Sequence, residues 1–207
     1  MTELQKTEET KDLTPIQAKW QEAQYLAQSS LLPKHFTGQP ANVLIALEYA
    51  KQLSTVNKQL SPISVMQNLY VVHGNCGLSS KFMIALANAS GKFDSPIKYK
   101  AAYKDGKVNA VKAYTTIGGE EISYDVDMDT AIAEGWAKNP KYKTMPQLML
   151  SYRAASFLIR LNAPEVTMGL ATDDDVIDAE YSETTVFKGE AQDTKALTGD
   201  IIDEDLL

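Results

Sequence analysis

A short stretch that begins at Trp136 combines cationic and aromatic side chains at close spacing. Lys138, Lys141 and Lys143 lie at near-alternate positions, and Tyr142 stands between the last two. The stretch also contains a proline, which favours a loop. Phosphates need mobile cations, and unpaired bases need flat apolar surfaces on which to stack. These residues are therefore candidates for contact with a single-stranded nucleic acid.

Arg153 and Arg160, the only arginines of the chain, follow in a helical pattern. Seven residues make two helical turns, so we expect both side chains on one face of the helix. The forked, weakly hydrated guanidinium is preferred where bidentate or partly buried anion contacts matter. The pair is a candidate contact for a phosphate backbone; ordinary surface arginines on an amphipathic helix are the alternative.

Lys98 and Lys100 stand in a segment where apolar and basic residues largely alternate. Ile97 precedes Lys98, and Tyr99 lies between the two lysines. A strand places residues i and i+2 on one side, so the two ammonium groups should share a face. That face would offer regularly spaced charges to phosphates. A solvated sheet face is the alternative.

Acidic residues cluster at Asp173, Asp174, Asp175 and Asp178. A helix N-terminus explains them better than a metal site, because consecutive aspartates diverge whereas metal ligands must converge. The metal alternative would add Glu165 and imply a metal-dependent DNA nuclease.

Other catalytic patterns are weak. We expect His73 to be a hydrogen-bonded turn residue and Cys76 a small structural residue. One cysteine excludes an intramolecular disulfide. Neither a G-x-x-x-x-G-K-[ST] loop nor a G-x-G-x-x-G motif occurs, which argues against an ATP-driven recombinase. No apolar stretch reaches a membrane span and residues 1–11 do not resemble a secretory signal, so we predict no membrane contact and a cytoplasmic location.

Net charge is −7, but its distribution is uneven. Residues 13–172 contain 16 basic and 11 acidic residues, whereas residues 173–207 contain 12 acidic and two basic ones. The folded part is thus mildly basic, which permits a polyanionic ligand without requiring one.

Turn and cap signals predict an α+β fold in which a small antiparallel β-meander packs on helices. Proline near each start predicts helices from Thr14, Gln39 and Ser61, and Ser79 or Ser80 starts another that ends at Gly91. The Asp-Gly pair at 105–106 predicts a hairpin between strands 97–103 and 108–114, and 121–126 forms a third strand. A short helix at 130–135 and a long one at 145–161 follow.

Three regions are expected: a disordered lead at 1–13, one folded core at 14–180 and an acidic, disordered tail at 181–207. The tail is open to three interpretations. It solubilises the protein, it mimics DNA in the binding groove, or it docks on a recombination partner.

The order and spacing of three segments resemble the RecT family of phage recombination proteins. They are 30–50, 61–93 and 143–178, within a similarity that spans about residues 20–180. The resemblance implies a core similar to the RecT and Red beta annealases, and ATP-independent binding and annealing of single-stranded DNA. By position it carries Arg153, Arg160, Lys141 and Lys143 over as DNA contacts, together with Lys98, Lys100 and Lys112 in the sheet.

The implied partners are single-stranded DNA, the annealed duplex intermediate and further copies of the chain in a ring or helical filament. A phage exonuclease and a host single-strand binding protein are candidate protein partners. The resemblance implies no enzyme activity and no cofactor, with magnesium as a modulator of annealing. The chain is shorter than the longer members of the family, and its end is acidic and apolar. Alternatives from other classes are the metal-dependent nuclease and a structural or adaptor protein of a phage particle.

Overall fold

A computed structural model describes residues 14–57, 60–72 and 75–172. Its first three helices are α1 (Pro15–Leu26), α2 (Pro40–Leu53) and α3 (Pro62–Met66), and each has proline in its first turn. A missing backbone N–H is harmless there, because that group has no helical partner. At α1 the Thr14 hydroxyl accepts from the Gln17 backbone N–H while the Gln17 side chain accepts from the Thr14 N–H. All three predicted helix starts are confirmed.

A small mixed sheet follows the first helices. Strands β1 (Leu69–Val72) and β2 (Asn75–Leu78) are antiparallel, and β2 also pairs in parallel with β6 (Ala171–Thr172). Strand β6 was not predicted from the sequence. Helix α4 (Ser80–Ala89) begins where the Ser79 hydroxyl accepts from the Phe82 backbone N–H, which confirms the predicted cap.

The predicted meander is confirmed as a second, antiparallel sheet in the order β3-β4-β5. Its strands are β3 (Lys98–Lys104), β4 (Lys107–Ile117) and β5 (Glu120–Asp127). Asp105 and Gly106 form the two-residue turn, with φ of 52° and 74°. Two positive φ values are those of a type I′ turn, whose twist matches that of the flanking strands.

The second sheet is followed by α5 (Met128–Ala133), a 3₁₀ turn (Trp136–Lys138), α6 (Lys141–Thr144) and α7 (Pro146–Asn162). A further 3₁₀ turn, Pro164–Val166, leads to β6. The loop predicted after Trp136 is therefore largely helical. The long helix was predicted within about one residue at each end.

Helix α7 lies on one face of the second sheet, where it contacts β4 and β5. That inner face contributes the buried residues Val111, Ala113 and Thr115, and the opposite side of α7 packs against α4. The structure is thus α+β, as predicted. The opposite, outer face of the sheet bears the side chains at even positions from 110 to 116.

Truncation of Leu158 should reveal how much the fold depends on α7. Leu158 is fully buried, so we expect Leu158→Ala to lower the free energy of unfolding by about 2–5 kcal/mol. Leu161, on the same helix, is 68% exposed, and Leu161→Ala should change stability by less than about 0.5 kcal/mol. Urea denaturation followed by circular dichroism measures both. Equal losses would contradict the packing of α7.

Candidate nucleic-acid interface

A groove of about 810 Å³ lies between the β3–β4 hairpin and the segment where α6 meets α7. Tyr103, Lys104 and Lys107 line it on the hairpin side, and Lys143 lines it on the α6 side. The remaining lining residues are Asp105, Gly106, Val108, Asn109, Met128, Tyr142 and Pro146. We call this the hairpin groove.

The hairpin fixes the cations of this groove. Lys104 and Lys107 face each other across the ladder at the type I′ turn. Like charges directly opposite one another destabilise a sheet, and a bound anion would relieve that repulsion. The register then shifts, because Ala102 pairs with Ala110 whereas Tyr103 pairs with Val108, which leaves Asn109 as a bulge. A bulge bends the strand and redirects nearby side chains.

Tyr103 is the exposed aromatic residue of this groove. Its side chain is 64% accessible to solvent. An aromatic ring in an open, cationic groove is the arrangement on which an unpaired base can stack.

Helix α6 contributes lysines on both sides of a buried anchor. Tyr142 is buried, whereas Lys141 and Lys143 are exposed. The Asn139 side chain accepts from the Lys141 backbone N–H at 3.0 Å, just before this short segment begins. Lys138, in the preceding 3₁₀ turn, is also exposed. The predicted interleaving of lysine and tyrosine therefore separates into outward cations and an inward ring.

Trp136 and Tyr142 were predicted to stack on bases, and the burial of both rings disfavours that role. Trp136 is 8% exposed and its ring lies against Arg153 and Phe157, while Tyr142 is 2% exposed. Both rings attach the 3₁₀ turn and α6 to α7, and Tyr142 contributes only a small exposed part to the lining of the hairpin groove. Tyr103 takes the place of these rings as the candidate stacking residue.

Arg153 was predicted to touch a phosphate backbone, and its burial disfavours that role too. Only 3% of the residue is exposed. Its guanidinium carbon lies 4.2 Å from the centre of the Trp136 ring, and Nε is 3.4 Å from the Tyr142 hydroxyl. A π face and a hydroxyl compensate a guanidinium for lost water, so Arg153 is a structural residue.

Arg160 differs from Arg153 in its exposure. It is half-buried, and its guanidinium carbon lies 4.7 Å from the centre of the Phe157 ring. Phe157 stacks on Tyr124 at 5.0 Å and lies 6.1 Å from Trp136, so both arginines border one aromatic cluster. Their predicted common side of the helix is consistent with this. Arg160 remains a candidate DNA contact.

Lys98, Lys100 and Lys112 lie on the outer face of the second sheet, away from α7. Lys100 pairs with Lys112 in the β3–β4 ladder, and Lys98 pairs with Tyr114. A groove of about 490 Å³ crosses this face, lined by Lys100, Lys112 and Tyr114 and also by Glu121 and Asp125. The Lys112 ammonium is 4.0 Å from the Asp125 carboxylate.

The predicted lysines therefore form two groups on different sides of the second sheet. Lys143 lines the hairpin groove, whereas Lys100 and Lys112 line the groove of the outer face. Lys98, Lys100 and Lys112 lie on the outer face of the second sheet. Lys141 and Lys143 belong to α6, which packs against α7 on the inner side of that sheet. The hairpin lysines lie at the end of the sheet between them. The Asp-Gly pair predicted the turn, but no sequence pattern indicated that its flanking lysines and Tyr103 line one groove.

Tyr99 illustrates the difference between the two faces. Burial, and secondarily the nearby Tyr152, raise the pKa of Tyr99 to about 12. The ring thus faces α7, while Lys98 and Lys100 on either side face solvent, as the strand period predicted. A tyrosine that stays neutral well above physiological pH adds no charge to this edge.

The surroundings of Glu165 and Cys76 do not favour a metal site or a nucleophilic thiol. A hydrogen bond from Lys92 holds the pKa of Glu165 below its usual value, and the two side chains form an ion pair at 2.5 Å. Burial raises the pKa of the Cys76 thiol, which disfavours the reactive thiolate. Within residues 14–57, 60–72 and 75–172, no three His, Cys, Asp or Glu side chains converge as a metal site would require. His73 and Asp173–Asp178 lie outside the described residues.

Comparison with known proteins adds no relative. No protein-family model, curated protein or solved structure matches the chain. Among the described residues, no helix is both long and apolar enough to cross a bilayer.

The opposite environments of the two arginines lead to different consequences of truncation. Arg153→Ala removes a buried group that holds Trp136 and Tyr142, so we expect a loss of about 2–4 kcal/mol in unfolding free energy. Arg160→Ala, at a half-exposed position, should cost less than about 1 kcal/mol. Urea denaturation of the two variants checks this; a fully stable Arg153→Ala would contradict the structural role of that residue.

Proposed function

We propose that this protein binds single-stranded DNA in the hairpin groove and anneals complementary strands as a homo-oligomer, without ATP, in the manner of the RecT family. One observation carries the proposal. An exposed tyrosine and three lysines from two separate elements line the same open groove, with Asp105 as its single acidic residue. The resemblance of residues 20–180 to RecT-type proteins supports the same conclusion independently of the groove.

Electrostatics favours a phosphate chain over other ligands in this groove. Lys104 and Lys107 repel each other at the turn, and Lys143 adds a third cation from α6. Phosphates of a flexible strand are spaced so that separate lysines can each neutralise one, with release of condensed counterions. A small carboxylate would meet only part of this charge. The groove is open, so the bound strand stays exposed to solvent on one side.

Annealing requires that the protein holds the backbone and leaves the base edges accessible. Lysine ammonium groups and a stacking ring contact phosphates and base faces, not the edges that form base pairs. Pairing with a complement then supplies about 1.4 kcal/mol per stacked base pair. Neutralised phosphates also lower the repulsion between the two strands. No covalent step is needed, so the proposed activity is not enzymatic.

We place the outer-face lysines outside the primary DNA contact. Glu121 and Asp125 line the same groove as Lys100 and Lys112, and Asp125 lies beside Lys112. These carboxylates repel phosphates and reduce the attraction of the lysines. The hairpin groove is lined by three lysines and one aspartate, so its charged lining is predominantly positive.

Removal of the groove lysines should weaken binding and reduce its dependence on salt. We expect Lys104→Ala/Lys107→Ala/Lys143→Ala to lower the salt slope of log K by about 2, because each lost single-strand contact contributes about 0.7. Fluorescence anisotropy with a labelled oligonucleotide across a salt series measures this slope. The exposed lysines Lys34, Lys51 and Lys81, replaced together by alanine, are the matched control. Equal slopes in the two triple variants would refute the groove as the binding site.

Tyr103 should contribute by stacking and not by charge. We expect Tyr103→Ala to weaken binding by about 1–3 kcal/mol with an unchanged salt slope, and Tyr103→Phe to retain affinity. Tyr25, 71% exposed on α1, provides the control Tyr25→Ala. The same anisotropy titration applies. A loss in Tyr25→Ala as large as in Tyr103→Ala would argue against a specific stacking role.

A fluorescence-quench assay with two complementary oligonucleotides tests annealing itself. We expect the protein to accelerate quenching without ATP, and the groove triple variant to lose that acceleration. Electrophoresis of the same strands after incubation with magnesium should show them intact. Cleaved strands would indicate the nuclease, and intact strands with an unchanged annealing rate would indicate a structural or adaptor protein.

A further inference from the structure

The second sheet has two edges of opposite charge. Strands β3 and β5 are its edges, and neither pairs with a further strand among the described residues. Strand β3 contains lysines and no acidic residue, whereas β5 contains acidic residues and no basic one. The charged residues are Lys98, Lys100 and Lys104 on β3, and Glu120, Glu121, Asp125 and Asp127 on β5.

The charges of the two edges also share a face. Lys98 and Lys100 lie on the outer face, and so do Glu121 and Asp125, which pair with Thr116 and Lys112 of β4. All four residues are exposed. A neighbouring strand added at either edge would therefore bring its outer-face side chains into contact with these groups.

Chain direction allows such an addition. Both β3 and β5 are antiparallel to β4, so they run parallel to each other. A second copy in the same orientation can therefore set its β3 against β5 of the first in a parallel ladder. The sheet would continue from copy to copy, with every α7 on the same side.

The signs of the charges select this arrangement over the symmetric ones. A dimer through two β3 edges would oppose lysine to lysine, and one through two β5 edges would oppose acid to acid. Charged edges commonly prevent all association between sheets. When the two edges of one sheet have opposite charge, repulsion prevents only β3–β3 and β5–β5 pairing. The remaining contact is head-to-tail, and such contacts generate rings or helical filaments.

We propose that β5 of one copy pairs with β3 of the next, and that Glu121 and Asp125 of β5 attract Lys98 and Lys100 of the neighbouring copy. This inference rests on the proposed function, which needs a homo-oligomer, and it assigns Lys98 and Lys100 to assembly and not to DNA. The hairpin groove lies at the end of each hairpin, so successive copies present successive grooves.

Complementary charge reversal tests the contact. Variant one is Lys98→Glu/Lys100→Glu, and variant two is Glu121→Lys/Asp125→Lys. Each variant alone has two edges of the same sign, so we expect its self-association to weaken by about tenfold or more relative to the unmodified protein. An equimolar mixture restores opposite signs at every contact and should assemble again. Sedimentation velocity without DNA measures the species present.

Control measurements separate this contact from general effects. Lys34→Glu/Lys81→Glu makes the same charge change on two exposed residues outside the second sheet and should assemble like the unmodified protein. Circular dichroism checks the fold, and Glu121→Gln/Asp125→Asn replaces the second variant if the reversal unfolds it; the neutral variant should still associate more weakly. Assembly of the unmodified protein should decline between about 0.05 and about 0.5 M salt, because the Debye length shortens.

Three results would overturn the proposal: an unmodified protein that stays monomeric at every concentration, reversed variants that assemble normally, or a mixture that stays dissociated. A protein that stays monomeric would also contradict the homo-oligomer of the proposed function. The other two results concern only this contact, because DNA binding is read separately in the anisotropy titration of the groove variants. Loss of DNA binding in the groove variant together with a rescued mixture would support both proposals.

Discussion

A buried guanidinium holds the candidate interface together. Arg153 lies over the ring of Trp136 and reaches the hydroxyl of Tyr142, and so one side chain of α7 contacts the 3₁₀ turn and α6 at once. Helix α6 spans only Lys141–Thr144, and a helix of one turn has no stability of its own. Its position therefore depends on tertiary contacts, of which the insertion of Tyr142 is the central one.

The cations of the groove depend on this buried support. Lys143 follows Tyr142 directly, so the direction in which it projects is set by the ring that anchors α6. On the other side the hairpin is fixed by its own turn chemistry, since Asp105 and Gly106 adopt the backbone that a type I′ turn needs. Two rigid supports thus hold flexible lysines. Such an arrangement suits a ligand that is recognised by its charge and varies in sequence.

Local signals in the sequence predicted most of the fold. Proline in a first helical turn, a serine cap before α4 and an Asp-Gly pair between alternating strands each act within a few residues, and each was confirmed. Strand β6 was missed because its two residues pair with β2 across more than ninety positions, and no local pattern encodes that contact. The short helical turns after Trp136 were missed because a proline and three lysines suggested a loop.

The candidate site was harder to predict than the fold, for a reason visible at Arg153 and Tyr142. Sequence spacing shows which residues are near one another but not which way each one faces when aromatic and basic residues alternate. Burial reversed the assignment, because the aromatic rings and Arg153 turned inward and only the lysines stayed outside. Tyr103 was passed over since it belonged to a strand that alternates cleanly. Its exposure arises from its place at the hairpin end, next to the bulge at Asn109.

The distribution of charge within the second sheet matters more for a ligand than the net charge of −7. Strands β3 and β5 are separated by two interstrand spacings, about 10 Å. That distance equals about one Debye length at 0.1 M salt, so mobile ions screen one edge from much of the field of the other. A phosphate at the hairpin end would therefore be attracted by the nearby lysines even though the β5 edge is acidic. The same screening would allow one small sheet to bind a polyanion at its basic end, as proposed, and still present an acidic edge to another copy of itself.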